Sequence, residues 1–122
     1  MSSEQANVSP LAGSWVGTYN YPDGSSFEFT LEIPPFTVGE KFKGSGIDSG
    51  ASFTVEGTGV AIGSTGKYGV SWIQTYDTKW QSTAWFWDGV LNKSGDKIDG
   101  NWHDPVDDER KRTAPFNLKR VK

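Results

Sequence analysis

The 122-residue sequence has no cysteine and only one histidine, His103. Without cysteine the chain can form no disulfide, supplies no thiolate nucleophile and cannot hold zinc through sulfur. A single histidine also excludes a multi-histidine metal site. No serine or threonine lies in a nucleophile-elbow sequence. We therefore expect no metal ion and no cofactor, and we assign no catalytic residue.

Positive charge and long apolar runs are scarce as well. Twelve lysines and arginines stand against fifteen acidic residues, giving a net charge of −3. Such a chain lacks the basic surface that attracts nucleic acids and anionic membranes. No stretch approaches the roughly 20 apolar residues of a membrane-spanning helix, and residues 1–11 lack the apolar segment of a signal peptide. We expect a soluble, cytoplasmic protein that binds neither nucleic acid nor membrane.

Glycine and aromatic residues are plentiful, with 15 Gly, 6 Trp, 7 Phe and 4 Tyr. From Ser26 to Ile33 polar and apolar residues alternate strictly, which places Phe27, Phe29 and Leu31 on one face of a strand. Seven more segments alternate in the same way, with turn-forming sequences between them. These segments are 13–20, 40–48, 52–62, 67–76, 83–92, 97–103 and 113–120. The pattern predicts an all-β fold.

Eight strands joined mostly by short connections run antiparallel to their successors, and closure removes the exposed edges of such a sheet. We therefore predict an eight-stranded antiparallel up-and-down β-barrel as a single domain over residues 11–122, after a flexible N-terminal segment over residues 1–10. A seven- or eight-stranded sandwich is the structural alternative. Inward glycines such as Gly44, Gly46 and Gly57 favour the barrel, because they relieve the bend of coiled strands.

The inward residues fall into two groups, one at each end of the barrel, according to their position along each strand. One end, which we call the floor, is mostly apolar and comprises Trp15, Ile33, Phe42, Tyr68, Leu91, Ile98 and Arg120. The other end, the mouth, mixes aromatic faces with polar groups. The residues assigned to a ligand-binding site at the mouth are Tyr19, Asp48, Trp72, Gln74, Tyr76, Trp85, Trp87, Trp102 and His103.

Two short sequence features carry a family resemblance. Leu11-Ala12-Gly13-Ser14-Trp15, together with Arg120 near the end of the last strand, resembles the Gly-x-Trp motif and closing arginine of lipocalins and other calycin-type barrels. This resemblance implies that the guanidinium of Arg120 lies over the indole of Trp15 and closes the floor.

A second resemblance is to avidins. The segments Val70-Ser71-Trp72, Asp88-Gly89, Ile98-Asp99-Gly100-Asn101-Trp102 and Phe116 to Lys122 follow the order and spacing of the later avidin strands. The resemblance implies that Trp72, Trp85 or Trp87, and Trp102 line a ligand site. Gly17 and Ala114 replace the Asn and Asp with which avidins bind biotin, so biotin is not carried over.

Each assignment at the mouth also has a purely structural interpretation. The indoles of Trp72 and Trp87 can be ordinary core, because an eight-stranded barrel is just wide enough to be filled by its own side chains. Asp48 can be a strand-end or turn carboxylate, and His103 a solvated residue at a strand end. For Trp85, Trp102 and Tyr76, which are nearest the mouth, we favour contact with a ligand over a purely structural role.

Three classes of function fit these patterns. The first is a small-molecule-binding barrel that holds a flat, partly apolar organic ligand between aromatic residues. The second is a cytosolic lectin, in which exposed aromatic rings stack on sugars. The third is a cyclase or isomerase acting on a hydrophobic substrate, with His103 or Asp48 moving a proton, so enzymatic activity stays open.

The outward face of the predicted strands carries an apolar patch of Ile73, Phe86 and Val90. Exposed aromatic patches commonly mark contacts between proteins. The patch predicts a homodimer.

Overall fold

The computed structural model describes residues 8–21, 23–76, 85–103 and 113–121. These residues form eight strands: β1 Gly13–Asn20, β2 Ser26–Ile33, β3 Lys41–Asp48, β4 Ala51–Ala61, β5 Tyr68–Tyr76, β6 Trp85–Leu91, β7 Lys97–His103 and β8 Thr113–Arg120. Each strand pairs antiparallel with the next, and β8 pairs with β1 to close the barrel. The predicted eight-stranded antiparallel up-and-down barrel is confirmed, and the sandwich is excluded.

Strand bounds agree with the sequence prediction to within one or two residues where the chain is described, and the predicted start of β6 at residues 83–84 lies outside the described residues. Within the described ranges there is no helix that could span a membrane.

The alternating pattern of β2 shows how the sequence builds the core. Phe29, Leu31 and Ile33 point inward and are buried, while the residues between them are exposed. Phe27 is in phase with them but lies at the end of the strand, where its ring is 36% exposed. The same alternation around the barrel buries a continuous set of large side chains, and this burial is the main favourable contribution to folding.

Two glycines allow neighbouring strands to approach closely. A Cβ atom at Gly17 would overlap the backbone of Asn117 on β8, and one at Gly100 would overlap the backbone of Asp88 on β6. Only glycine fits these positions without a backbone shift, as expected for a small, strongly coiled barrel.

The floor is closed as the calycin-type resemblance implies. Arg120 pairs with Trp15 across β8 and β1, and its guanidinium carbon lies 4.3 Å from the centre of the indole ring. The same guanidinium donates to the backbone carbonyls of Gly95 and Ala12 at 2.9 and 2.8 Å, and also to that of Pro10. The predicted contact between Arg120 and Trp15 is confirmed.

Residues 8–10, which the sequence analysis assigns to a flexible N-terminal segment, contact the barrel. Val8 forms a β-bridge with Thr37, and Ser9 is buried and donates its backbone N–H to Phe36. The rest of that segment, residues 1–7, lies outside the described residues.

Candidate ligand-binding site

A tight hairpin fixes the position of the central polar residue of the mouth. β3 and β4 are joined by Ser49 and Gly50, whose φ angles are 51° and 89°. Positive φ at both central residues defines a type I′ turn, which matches the twist of paired strands. Asp48 is the last residue of β3, so this turn holds its carboxylate at the mouth.

A cavity of about 250 Å³ lies at the mouth. Among the described residues its wall is mainly aromatic, and it also includes the carboxylate of Asp48 and the hydroxyl of Ser49. The lining residues are Tyr19, Tyr21, Phe27, Asp48, Ser49, Ala51, Tyr76, Trp85, Trp87 and Trp102. The volume is slightly below the range of roughly 300–1,000 Å³ that is usual for small-molecule pockets, so it suits a small ligand.

The aromatic rings of the wall hold one another in place. Trp85 and Tyr21 each meet Trp102 edge to face, with ring centres 5.3 and 5.4 Å apart. Tyr19 and Phe27 stack at 5.6 Å. Such pairs stabilise one another by roughly 0.5–1.5 kcal/mol beyond their burial, which favours a preformed wall.

Below the cavity the barrel is filled. The indoles of Trp72 and Trp87 stack at 5.8 Å with only 10° between their planes, and both side chains are buried. Phe116 meets both rings edge to face. The cavity therefore occupies the mouth alone, and Trp87 forms its inner end.

A chain of hydrogen bonds runs from the core to Asp48. Trp72 donates its indole N–H to the side-chain oxygen of Gln74 at 3.0 Å, and Gln74 donates its amide N–H to the hydroxyl of Tyr76 at 2.9 Å. Tyr76 then donates to Asp48 through a short hydrogen bond. From the opposite wall, Tyr19 donates to both carboxylate oxygens of Asp48 at 2.9 Å.

The two tyrosines remain neutral donors. Burial raises the pKa of Tyr19 and of Tyr76, and the hydrogen bond to Asp48 and the charge of its carboxylate raise both pKa values further. Burial and, secondarily, the charge of Asp48 also raise the pKa of Tyr21 at the rim. At neutral pH the hydroxyls of Tyr19 and Tyr76 therefore keep their protons and direct them to Asp48.

Two indole N–H groups in the wall find no acceptor in the part of the chain that the structure describes. Nε1 of Trp85 and Nε1 of Trp87 are buried, and neither has a hydrogen-bond partner among the described residues. Buried unpartnered donors are uncommon and costly, so they need an explanation such as a functional role. Trp102, by contrast, donates its indole N–H to the backbone carbonyl of Asn20 at 2.8 Å.

The structure brings most of the predicted site residues together. Those that line the cavity are Tyr19, Asp48, Tyr76, Trp85, Trp87 and Trp102. Trp72 and Gln74 do not line it; they lie beneath it and are linked to Tyr76 in its wall by hydrogen bonds. Tyr21, Phe27, Ser49 and Ala51 also line the cavity and were not predicted as site residues. The signal that would have indicated them is their position: Tyr21 follows β1 directly, Phe27 is near the start of β2, and Ser49 and Ala51 lie at the β3–β4 turn.

His103 is not brought to the mouth. It follows the inward Trp102 on β7 and lines a depression on the outer surface, where its Nε2 lies 3.1 Å from the carboxylate of Asp88. Both side chains are partly exposed, so this pair contributes at most about 1 kcal/mol to stability.

That depression on the outer surface of β3 to β7 is larger than the cavity at the mouth. We call it the outer groove; it has a volume of about 1,150 Å³. One row of paired outward residues crosses it, namely Lys43, Glu56, Ile73, Phe86 and His103. The groove is a mixed polar and apolar face with charges of both signs.

No family model matches the chain, and neither does any curated protein. A solved structure described as a redesigned β-barrel is similar, with a TM-score of 0.61, 14% sequence identity and coverage of 93% of each chain. At that identity the similarity concerns the fold alone. The class defined by fold and geometry is therefore a closed eight-stranded antiparallel barrel with an aromatic cluster at one end.

Proposed function

We propose that the protein is a small-molecule-binding barrel that holds a flat, partly apolar ligand in the cavity at the mouth. The observation that carries the proposal is the cavity itself, which combines aromatic walls with a few convergent polar groups. Small-molecule sites in barrels typically have this composition and this location. The filled interior beneath the cavity limits the ligand to one small ring system.

The calycin-type identity is part of the same proposal. Its support is the Gly-x-Trp segment and the contact of Arg120 with Trp15. The cytoplasmic location remains an expectation from the sequence.

Sugar binding is a second candidate because two aromatic rings at the rim are accessible. Tyr21 and Phe27 are 40% and 36% exposed, and their ring centres are 5.3 Å apart. Exposed rings of this kind can stack on a sugar. We do not propose acid/base catalysis by His103 at the mouth, since His103 lies in the outer groove and pairs with Asp88.

A matched pair of variants tests the proposal. Trp85 lines the cavity and Phe86, the next residue, points outward. A panel of small aromatic compounds and monosaccharides is first screened by intrinsic tryptophan fluorescence, and hits are measured by calorimetry. We expect Trp85→Ala to raise Kd by about 5- to 150-fold, the effect of removing an aromatic anchor worth 1–3 kcal/mol. Phe86→Ala should leave Kd unchanged.

Two results would contradict the proposal. One is that no compound in the panel alters the fluorescence; the other is that Phe86→Ala weakens binding as much as Trp85→Ala does. Preferential binding of monosaccharides, lost in Tyr21→Ala and kept in Trp85→Ala, would favour the sugar-binding alternative at the rim.

A further inference from the structure

The hydrogen-bond chain that ends at Asp48 has a fixed direction. An indole N–H can only donate, so the side-chain oxygen of Gln74 must accept from Trp72. The amide nitrogen of Gln74 therefore faces Tyr76 and donates to its hydroxyl oxygen. The hydroxyl hydrogen of Tyr76 is left for Asp48. Every dipole of the chain thus directs its positive end toward the carboxylate, an arrangement that stabilises negative charge there.

The carboxylate of Asp48 retains the capacity to accept more. Two carboxylate oxygens offer about four acceptor positions, while Tyr19 and Tyr76 each supply a single hydroxyl hydrogen. Asp48 also lines the cavity, although only 6% of its surface is exposed. Among the described residues this leaves acceptor positions of Asp48 unused, and the carboxylate that carries them lines the cavity.

Asp48 has no cationic partner in the part of the chain that the structure describes. The contact between a carboxylate and a basic side chain found among those residues joins Asp88 to His103 on the outer surface. Buried carboxylates are ordinarily paired, because removing a charge from water is costly. A positively charged group in the cavity would compensate this charge.

The remaining wall of the cavity also suits a positive charge. Tyr19, Tyr21 and Phe27 lie on one side, and Trp85 and Trp102 belong to β6 and β7. The faces of these rings carry negative electrostatic potential, and tryptophan gives the strongest attraction to a cation. A carboxylate combined with several aromatic rings recognises organic ammonium groups, both protonated and quaternary.

From this geometry we infer that the ligand of the mouth is a small organic cation, whose ammonium group pairs with Asp48 while its apolar body lies against the indoles. This inference rests on the proposed binding function and adds the chemical class of the ligand. The cavity volume of about 250 Å³ restricts the cation to a single ring with a short amine or ammonium substituent.

Four benzyl and phenyl compounds of similar shape test the charge requirement on the unaltered protein. They are benzylamine, which is protonated at neutral pH, benzyltrimethylammonium, neutral benzyl alcohol and anionic benzoate. Binding is followed by tryptophan fluorescence up to millimolar concentration and confirmed by calorimetry. We expect at least one of the two cations to bind about tenfold or more tightly than benzyl alcohol, and benzoate not to bind. Tighter binding of benzylamine would indicate hydrogen-bond donation by its protonated amine. Tighter binding of benzyltrimethylammonium would indicate that charge alone is recognised.

The Asp48→Asn variant removes the charge and keeps the shape of the side chain. It should abolish the preference for cations, because the amide that replaces the carboxylate carries no charge, and it should weaken the binding of neutral benzyl alcohol much less. Asp88→Asn is the matched control, because it removes one negative charge from the outer surface of the same barrel. Near-ultraviolet circular dichroism verifies the fold of both variants. If Asp48→Asn does not fold, the four-compound series on the unaltered protein decides by itself.

Failure of the inference is distinguishable from failure of the proposed function. If benzyl alcohol or benzoate binds as tightly as the cations, and Trp85→Ala weakens that binding, the mouth is a ligand site but the cation inference is overturned. If none of the four compounds binds, the cation inference is overturned as well. In that case the broader compound panel, with Trp85→Ala and Phe86→Ala, still tests the proposed function.

Discussion

Asp48, Tyr19 and Tyr76 determine the chemistry of the mouth at the scale of single residues. Both hydroxyls donate to the carboxylate, and loss of either proton would place a phenolate beside an existing negative charge. Burial and that charge raise the pKa of both tyrosines above the ordinary value of about 10. In the unfolded chain the same phenols ionise near pH 10.

The difference in pKa predicts a loss of stability in alkali. Above pH 10 the unfolded chain releases phenolic protons that the folded chain retains, so rising pH favours unfolding, while below pH 10 this contribution is fully present. Each of the two tyrosines should lower the free energy of unfolding by about 1.4 kcal/mol per pH unit above pH 10. Thermal unfolding of the wild type and of the double variant Tyr19→Phe/Tyr76→Phe between pH 8 and 11.5 measures the effect. The two Tm curves should diverge above pH 10, and parallel curves would contradict the prediction.

Strands β1 and β8 close the barrel, and their pairing determines which residues meet at the floor. The register places Arg120 opposite Trp15, where the guanidinium covers the indole and binds backbone carbonyls from two segments, Pro10 to Ala12 and Gly95. Arg120 thus joins the N-terminal segment, the β6–β7 turn and the last strand. The floor is a structural element at the opposite end of the barrel from the cavity.

Arg120→Ala should therefore lower stability without affecting ligand binding. The cation–π contact contributes about 1 kcal/mol and each charge-assisted hydrogen bond about as much or more, so we expect a loss of about 2 kcal/mol or more in the free energy of unfolding. Urea denaturation measures the loss. Lys119→Ala, at an exposed neighbouring position of β8, is the control and should change stability little. Equal midpoints for the two variants, or a ligand affinity that falls in Arg120→Ala, would contradict this assignment.

At the scale of the whole molecule, the outer groove is a mixed polar and apolar face that barrel closure leaves uncovered. Phe86 and Ile73 pair across β6 and β5, and their side chains are 46% and 43% exposed. Lys41 and Lys43 lie along the β3 edge of the groove and Asp88 lies along its β6 edge. Because a two-fold contact uses the same face on both copies, edges of opposite charge are compatible with such a contact.

The homodimer remains a prediction, and we expect its interface at the patch of Ile73, Phe86 and Val90; all three are exposed, and Ile73 and Phe86 line the groove. Phe86→Lys should place a charge in the centre of that interface and yield a monomer in sedimentation velocity experiments, while the wild type sediments as a dimer. Val16→Lys is the control, because Val16 is similarly exposed but lies on β1, across the barrel from β5. A monomeric wild type at high protein concentration would count against the prediction, and so would dissociation of the Val16→Lys variant.

Much of the fold follows from local sequence alone. The alternation around Phe29 and Leu31 sets which face of β2 is buried, because side chains of a strand point to opposite faces in turn. The same rule accounts for His103: since Trp102 points inward, the next residue must point outward. Short connections between successive strands then favour antiparallel pairing and closure.

The tertiary structure alone decided how the mouth is built. Tyr19 and Tyr76 lie 29 and 28 positions from Asp48 in the sequence, and only barrel closure and strand register bring their hydroxyls to its carboxylate. Whether the interior is hollow also depends on how side chains from different strands fit together. Here the stacked indoles of Trp72 and Trp87 fill the barrel below the cavity. Alternation along one strand determines the face of a residue, whereas distances and volumes between strands depend on the three-dimensional packing of the whole barrel.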